Sequence, residues 1–178
     1  NWEADGFAIQ NFKDSATGKI RSHNYNLDYI FKRGVTWNAL TSGKTSARLS
    51  TNSLFDNAGS SLFVRGNIAE EAVIGLINSN VMLEIFPLIS PTLNYQPGDI
   101  SKLPAFFPAE LQAKVKEIVS ELIEHADIDW DSYETSWEFT SLPLLNINYR
   151  HPLLKDAYIN LRGHWSMMTL EMQGLEKE

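Results

Sequence analysis

A chain of 178 residues, 43% hydrophobic and 21% charged, is long enough for one compact domain or a domain with an appendage, and it falls outside the disordered and fibrous classes. With no cysteine it excludes a disulfide scaffold, cysteine-based zinc sites and thiol catalysis. Its longest apolar stretch, residues 72–89, is broken by Asn78, Ser79, Asn80, Glu84 and Pro87, which excludes a membrane span, while the lack of cysteine is compatible with a reducing compartment and gives the expectation of a cytoplasmic protein. The net charge of −7 counts against nucleic acid as a partner, but eight Lys/Arg face five acids through residue 66 and only seven face seventeen beyond it, which permits one basic face on an acidic protein.

The chain opens at Asn1 with neither an initiator Met nor a signal sequence, so an internal fragment of a larger protein is expected. Through residue 65, the strings Asp14-Ser15-Ala16-Thr17-Gly18, Thr41-Ser42-Gly43-Lys44 and Asp56-Asn57-Ala58-Gly59 carry turn chemistry. They separate short apolar or alternating segments, which predicts strands over 35–40, 47–50 and 61–65 in a small, mostly antiparallel sheet. Asn67 with Glu70 three residues later forms a capping-box pattern, and Val73, Leu76, Ile77 and Val81 then share one stripe. A helix is therefore predicted from Ile68 to Phe86, stopped by Pro87, which has no amide proton to continue it. Residues 88–107 read as loop and short strand. Pro108 opens the clearest helix, with Leu111, Val115, Ile118, Val119, Leu122 and Ile123 on one face and Lys116, Glu117, Glu121 and Glu124 on the other. The string Asp127-Ile128-Asp129-Trp130-Asp131 is expected to end it, and a less regular helix interrupted at Gly163 is predicted over 154–172. The expected fold is α+β: a small sheet with packed helices, then a helical C-terminal segment.

The common catalytic signatures are absent: no nucleophile elbow, no phosphate-cradling Gly/Lys loop and no dinucleotide-type glycine turn. His23, His125, His151 and His164 are scattered, no two at a helical spacing that would bring both imidazoles to one metal, and each is expected at the surface or in a local hydrogen bond. Asp127, Asp129 and Asp131 alternate like the start of a calcium loop, but Ser132 stands where that loop needs glycine. Glu134 and Glu138 have no sign of a cleft around them. No catalytic residue and no metal site are expected. The informative stretch is 36–48, where a glycine turn rich in hydroxyls is flanked by Lys44, Arg48 and Trp37, a mixture suited to phosphate oxygens and base edges. The same stretch also reads as a polar hairpin turn, and residue chemistry alone leaves the two readings tied. Trp37 lies in an apolar strand pattern and is expected in the core.

The string Gly34-Val35-Thr36-Trp37-Asn38-Ala39-Leu40-Thr41-Ser42-Gly43-Lys44 resembles a segment of the target-recognition region of TaqI-like adenine DNA methyltransferases. Ser53-Leu54-Phe55-Asp56-Asn57-Ala58-Gly59 resembles the turn that follows it, and Ile74-Gly75-Leu76-Ile77-Asn78-Ser79 resembles the "Leu-Leu-Asn-Ser" helix of type I and TaqI-like specificity domains. Pro91-Thr92-Leu93-Asn94-Tyr95-Gln96-Pro97-Gly98-Asp99-Ile100 with Leu103-Pro104 resembles the segment that closes such a domain. Residues 130–139 with His151-Pro152-Leu153-Leu154 are similar to the region after it in the PglX family of BREX phage-defence methyltransferases. The matched pieces keep one order over most of residues 34–154.

The resemblance implies a parent enzyme that transfers a methyl group from S-adenosylmethionine to adenine N6, in a BREX or restriction-modification system. The Asn-Pro-Pro-Tyr-type motif for that step belongs to an upstream Rossmann-like domain and is not in this chain, so the fragment itself is expected to be no enzyme and to hold no cofactor. Such enzymes extrude the adenine, while the recognition region contacts groove and backbone. By that carry-over, residues 1–107 form a DNA target-recognition domain, the first ~30 of them a linker from the methyltransferase domain, and residues 108–178 form a helical spacer. The implied partners are double-stranded DNA, the methyltransferase domain and other defence proteins. Charge and turn chemistry single out Ser42, Lys44, Thr45, Ser46 and Arg48 in the loop, with Lys32, Arg33 and Arg65 as phosphate contacts. The alternative is a scaffold or protein-interaction region of the same large protein, which the acidic stretch after Glu110 favours.

Overall fold

The computed structural model describes residues 2–22, 26–56 and 59–178; His23 and the middle of the turn expected at Asp56 to Gly59 lie outside them. The fold is mixed α+β, and its described residues hold a three-stranded antiparallel sheet and six helices. After the short helix α1 (Phe7–Gln10), the expected turn at Asp14 forms. Its carboxylate accepts from the Ala16 amide at 2.9 Å and the Thr17 amide at 2.7 Å, and it pairs with Arg21. These bonds set Lys13 opposite Ile20.

Strands β1 (Gly34–Trp37), β2 (Ala47–Ser50) and β3 (Ser61–Leu62) run in the order β2-β1-β3. Val35 pairs with Leu49 and Leu62, Thr36 with Arg48 and Ser61, and Trp37 with Ala47. Alternation along the strands sends Val35, Trp37, Ala47, Leu49 and Leu62 to the helices and Thr36 and Arg48 to the opposite face. Strands β1 and β3 are shorter than predicted, for reasons set by their neighbours. Past Trp37 the chain leaves β2 and meets residues 93–95 instead, with the Tyr95 amide donating to the Ala39 carbonyl at 2.7 Å. By the same register Phe63 lies opposite Gly34, the first residue of β1, and residues 64 and 65 run past its start. Gly34 is required where β1 meets β3: a Cβ there would lie 2.8 Å from the Leu62 carbonyl oxygen.

Helix α2 (Glu70–Asn78) begins two residues later than expected, from Ala69, and the Asn67 capping box does not form. Glu70 and Glu71 occupy its first turn, where the helix dipole favours acids. The single helix expected through residue 86 is two helices, bent by 73° at Ser79. The Ser79 hydroxyl accepts from the Met82 amide at 3.3 Å and so caps α3 (Asn80–Ile89). The bend takes Val81 off the shared stripe and leaves it 66% exposed. Pro87 sits inside α3 and does not end it, because the Ser90 amide still closes the last turn on the Phe86 carbonyl. Helix α4 (Pro97–Ile100), in a region expected to be loop and strand, is capped by the Asp99 carboxylate, which accepts from the Gln96 amide at 3.1 Å.

Helix α5 (Ala109–Asp131) follows Pro108 as expected but runs through the Asp-rich string, which contains no Gly or Pro to break it. Helix α6 (Leu154–Leu175) continues through Gly163, where a side chain would meet open space and only intrinsic propensity is lost, about 1 kcal/mol. It runs antiparallel to α5, with Lys114 paired to Glu178 at 3.1 Å at one end, and buries Ala157, Leu161 and Met168. Helices α2 and α5 cross closely at Gly75, whose missing side chain leaves room for Val119. Val119 thereby joins the same buried cluster as Val35, Trp37, Ile77, Met82 and Phe86. Among the described residues no single helix is long and apolar enough to cross a membrane.

Asn78 ties the helices to the sheet. Its side-chain oxygen accepts from the Ala47 amide at 2.7 Å and its nitrogen donates to the Ala47 carbonyl at 2.9 Å, satisfying both outward groups of an edge strand. Replacing Asn78 by Ala is expected to reduce unfolding free energy by about 1–2 kcal/mol in a urea titration with unchanged slope. A loss within experimental error of zero would show that the clamp adds nothing to the fold.

Candidate nucleic-acid interface

The loop joining β1 to β2 is anchored before it begins. Trp37 is buried as expected, and its indole nitrogen donates to the Tyr95 carbonyl at 2.9 Å. Tyr95 is itself buried edge-on against Phe86, with ring centroids 5.2 Å apart. The Asn38 amide donates to the Ser46 carbonyl at 3.2 Å, which closes the neck of the loop. The Thr45 hydroxyl adds a bond to the Asn38 carbonyl at 3.0 Å. The Leu93 carbonyl holds the far side by accepting from the Thr41 amide at 3.1 Å.

Above this neck the exposed side chains form a polar row. Arg48 donates through Nη1 to the Asn38 Oδ1 at 2.9 Å, and Asn38 Nδ2 approaches the Ser46 Oγ at 3.4 Å. At the tip the Thr41 hydroxyl accepts from the Gly43 amide at 3.1 Å, which turns Ser42 and Lys44 outward. Among the described residues neither the Ser42 hydroxyl nor the Lys44 ammonium has a partner. Among the described residues the arrangement offers one free cation, one guanidinium held in place by a single bond with its other donors open, one free hydroxyl on Ser42, and a second on Ser46 that accepts from Asn38.

The eight residues singled out in the sequence therefore separate. Ser42, Lys44, Ser46 and Arg48 share the loop end. Thr45 is buried, with its hydroxyl turned inward. Lys32 and Arg65 lie at the other end of the sheet, six extended residues from Asn38, or roughly 20 Å away. There both meet Tyr29: Lys32 Nζ stands 5.3 Å from its ring centre, and Arg65 Nη2 donates to its hydroxyl at 2.8 Å. Tyr29 packs on Phe63 and Phe63 on Phe55, and with Asn26, Ser61 and Arg65 these rings line a shallow hollow of about 230 Å³.

Arg33 is turned away from both groups, onto α2. It forms an ion pair with Glu71 and a longer one with Glu70 at 3.9 Å. Burial by itself pushes the Glu71 carboxyl up, but a bond to its own backbone amide together with Arg33 outweighs that and holds it below its ordinary value of 4.5. Asn38 and Tyr29 were not among the sequence candidates. Asn38 had a signal, since period-two alternation places it on the face of Arg48; the meeting at Tyr29 depends on contacts 36 residues apart and left none.

No protein-family model matches the chain. It is 39% identical over 153 residues to the adenine-specific methyltransferase PglX of Lacticaseibacillus casei (strain Zhang), a stretch covering 85% of this chain and 13% of that protein. It is 30% identical over 148 residues to the adenine-specific methyltransferase BrxX of Escherichia coli O9:H4 (strain HS), covering 82% of this chain and 11% of that protein. The chain is homologous to these methyltransferases while spanning only a small part of their length.

Replacing Arg33 by Ala strips the buried Glu71 of its counter-charge. The expected loss at neutral pH is about 1–2 kcal/mol, less than for a fully buried pair because Arg33 is 46% exposed. Since the Glu71 carboxyl is depressed in the fold, the pair's contribution is complete above pH 4.5 and fades as pH falls through the folded value. Urea titrations of both proteins at pH 7 and pH 3 test this: the gap between them narrows at pH 3, and a gap that widens refutes the assignment.

Proposed function

We propose that this chain is the DNA-recognition segment of an adenine-N6 DNA methyltransferase of a BREX or restriction-modification phage-defence system. In this reading the catalytic domain, with its S-adenosylmethionine site and its pocket for the extruded adenine, lies elsewhere in the same protein. The single observation that carries it is the anchored loop, where Lys44 and Ser42, unpartnered among the described residues, stand beside the outward Arg48, Asn38 and Ser46 on a chain that is acidic overall. Homology to adenine-specific methyltransferases supports duplex DNA as the polyanion met by that loop.

Arg48 suits a guanine edge or a phosphate, because the bond it donates to Asn38 Oδ1 reduces its rotamer freedom while leaving the rest of its fork open. Lys44 acts as a point charge on the backbone, and Lys32 and Arg65 make a second backbone contact at the far end of the sheet. Thr45 and Arg33 act from within, the first shaping the loop and the second neutralising Glu71. Beyond residue 108 a different surface prevails. Trp137 is fully exposed, Ile147, Leu153 and Leu154 are exposed, and acids predominate, which favours contact with protein over DNA for that segment.

The test is made in a full-length protein carrying this segment. Lys44→Glu together with Arg48→Glu is expected to weaken duplex binding about 100-fold and to lower the dependence on salt by about two phosphate contacts, with methylation falling alongside. Both side chains are exposed, so folding is retained and circular dichroism checks it. Unchanged binding and methylation in the double variant would overturn the proposal.

A further inference from the structure

Away from the loop, the antiparallel pair α5 and α6 brings together Glu121, His125 and Glu171. One ligand atom from each lies within 4.8 Å of the other two. Glu121 and His125 are one helical turn apart on the same face of α5, and Glu171 reaches them from α6. Three features at this place are unexplained by the fold alone. Both ring nitrogens of His125 are buried and neither has a hydrogen-bond partner among the described residues, an arrangement proteins rarely leave standing. The closest approach, His125 Nε2 to Glu171 Oε2 at 3.6 Å, is too long for a hydrogen bond. Among the described residues neither carboxylate has a Lys or Arg within 4.0 Å, so two acids converge with no permanent cation beside them.

A divalent ion bound through Nε2 relieves the second and third of these and gives one of the two ring nitrogens a partner. With metal–ligand bonds of about 2.1 Å, the ligand atoms of a tetrahedral site stand about 3.4 Å apart, close to the separation of His125 and Glu171. Its two positive charges balance the two carboxylates, and it accepts the imidazole lone pair that has no donor. We propose that Glu121, His125 and Glu171 form a binding site for a first-row divalent ion of the zinc class, with water in the remaining position, and that the ion staples α5 to α6. The imidazole and carboxylate donors favour zinc over calcium or magnesium, which take oxygen alone. The site needs a single histidine, so the lack of a helically spaced His pair does not bear on it.

The experiment uses the full 178-residue chain after chelator treatment, titrated with Zn²⁺ alone by calorimetry and with Co²⁺ followed by visible absorption. The expected result is one saturable equivalent, tetrahedral-type cobalt bands and a higher melting temperature with Zn²⁺. His125→Ala and Glu171→Gln are each expected to weaken binding more than about 10-fold and to abolish the melting shift, whereas His151→Ala, at the separate pair of His151 with Asp156, leaves both intact. Glu171 is exposed and its amide is nearly isosteric, so that variant keeps the question open to refutation even if His125→Ala fails to fold. Absence of saturable binding, or binding equal in Glu171→Gln and the parent chain, would overturn the site.

Discussion

The structure depends on the way Trp37 is held. Its indole is buried between the sheet and the helices, its single donor reaches the Tyr95 carbonyl, and Tyr95 returns an amide bond to Ala39 two residues past the strand. Hydrophobic burial supplies most of the energy there and the two bonds supply the direction. Asn78 does the corresponding work on the opposite neck by gripping Ala47. A loop fastened at both necks presents its exposed side chains from a fixed base, so little ordering entropy remains to be lost when a ligand arrives.

The charges are arranged on the same plan. Fifteen Lys and Arg stand against twenty-two acids, and the fold commits one of the cations, Arg33, to neutralising a carboxylate at the start of α2. Arg48 is positioned by a neutral amide and keeps its charge for the exterior, and Lys44 is left without any partner among the described residues. In α5 and α6 two of the acids, Glu121 and Glu171, converge on His125.

Legibility followed range. The strands were readable because alternation of Val35, Thr36, Trp37 and Asn38 is local, and the long helix after Pro108 because its stripe is periodic. Boundaries failed where a distant partner or a single cap decided them: Ser79 divided one apolar run into two helices, and the turn expected at Asp127 to Asp131 stayed helical for want of a breaker. At the candidate interface, residue types pointed to Lys44 and Arg48, but nothing near Arg33 revealed that Glu71, 38 residues on, would claim it. The strings Asn78-Ser79 and Tyr95-Gln96, which carry much of the family resemblance, turn out to clamp, cap and anchor; their role in the loop is mechanical, and the fold alone makes it visible.

The most direct measurement places a photo-crosslinking side chain at position 42 or at position 137 of a full-length protein bound to its duplex. Crosslinking to DNA from position 42, with none from 137, is the predicted result. DNA captured from position 137 and not from position 42 would contradict the assignment of the loop as the surface that meets DNA.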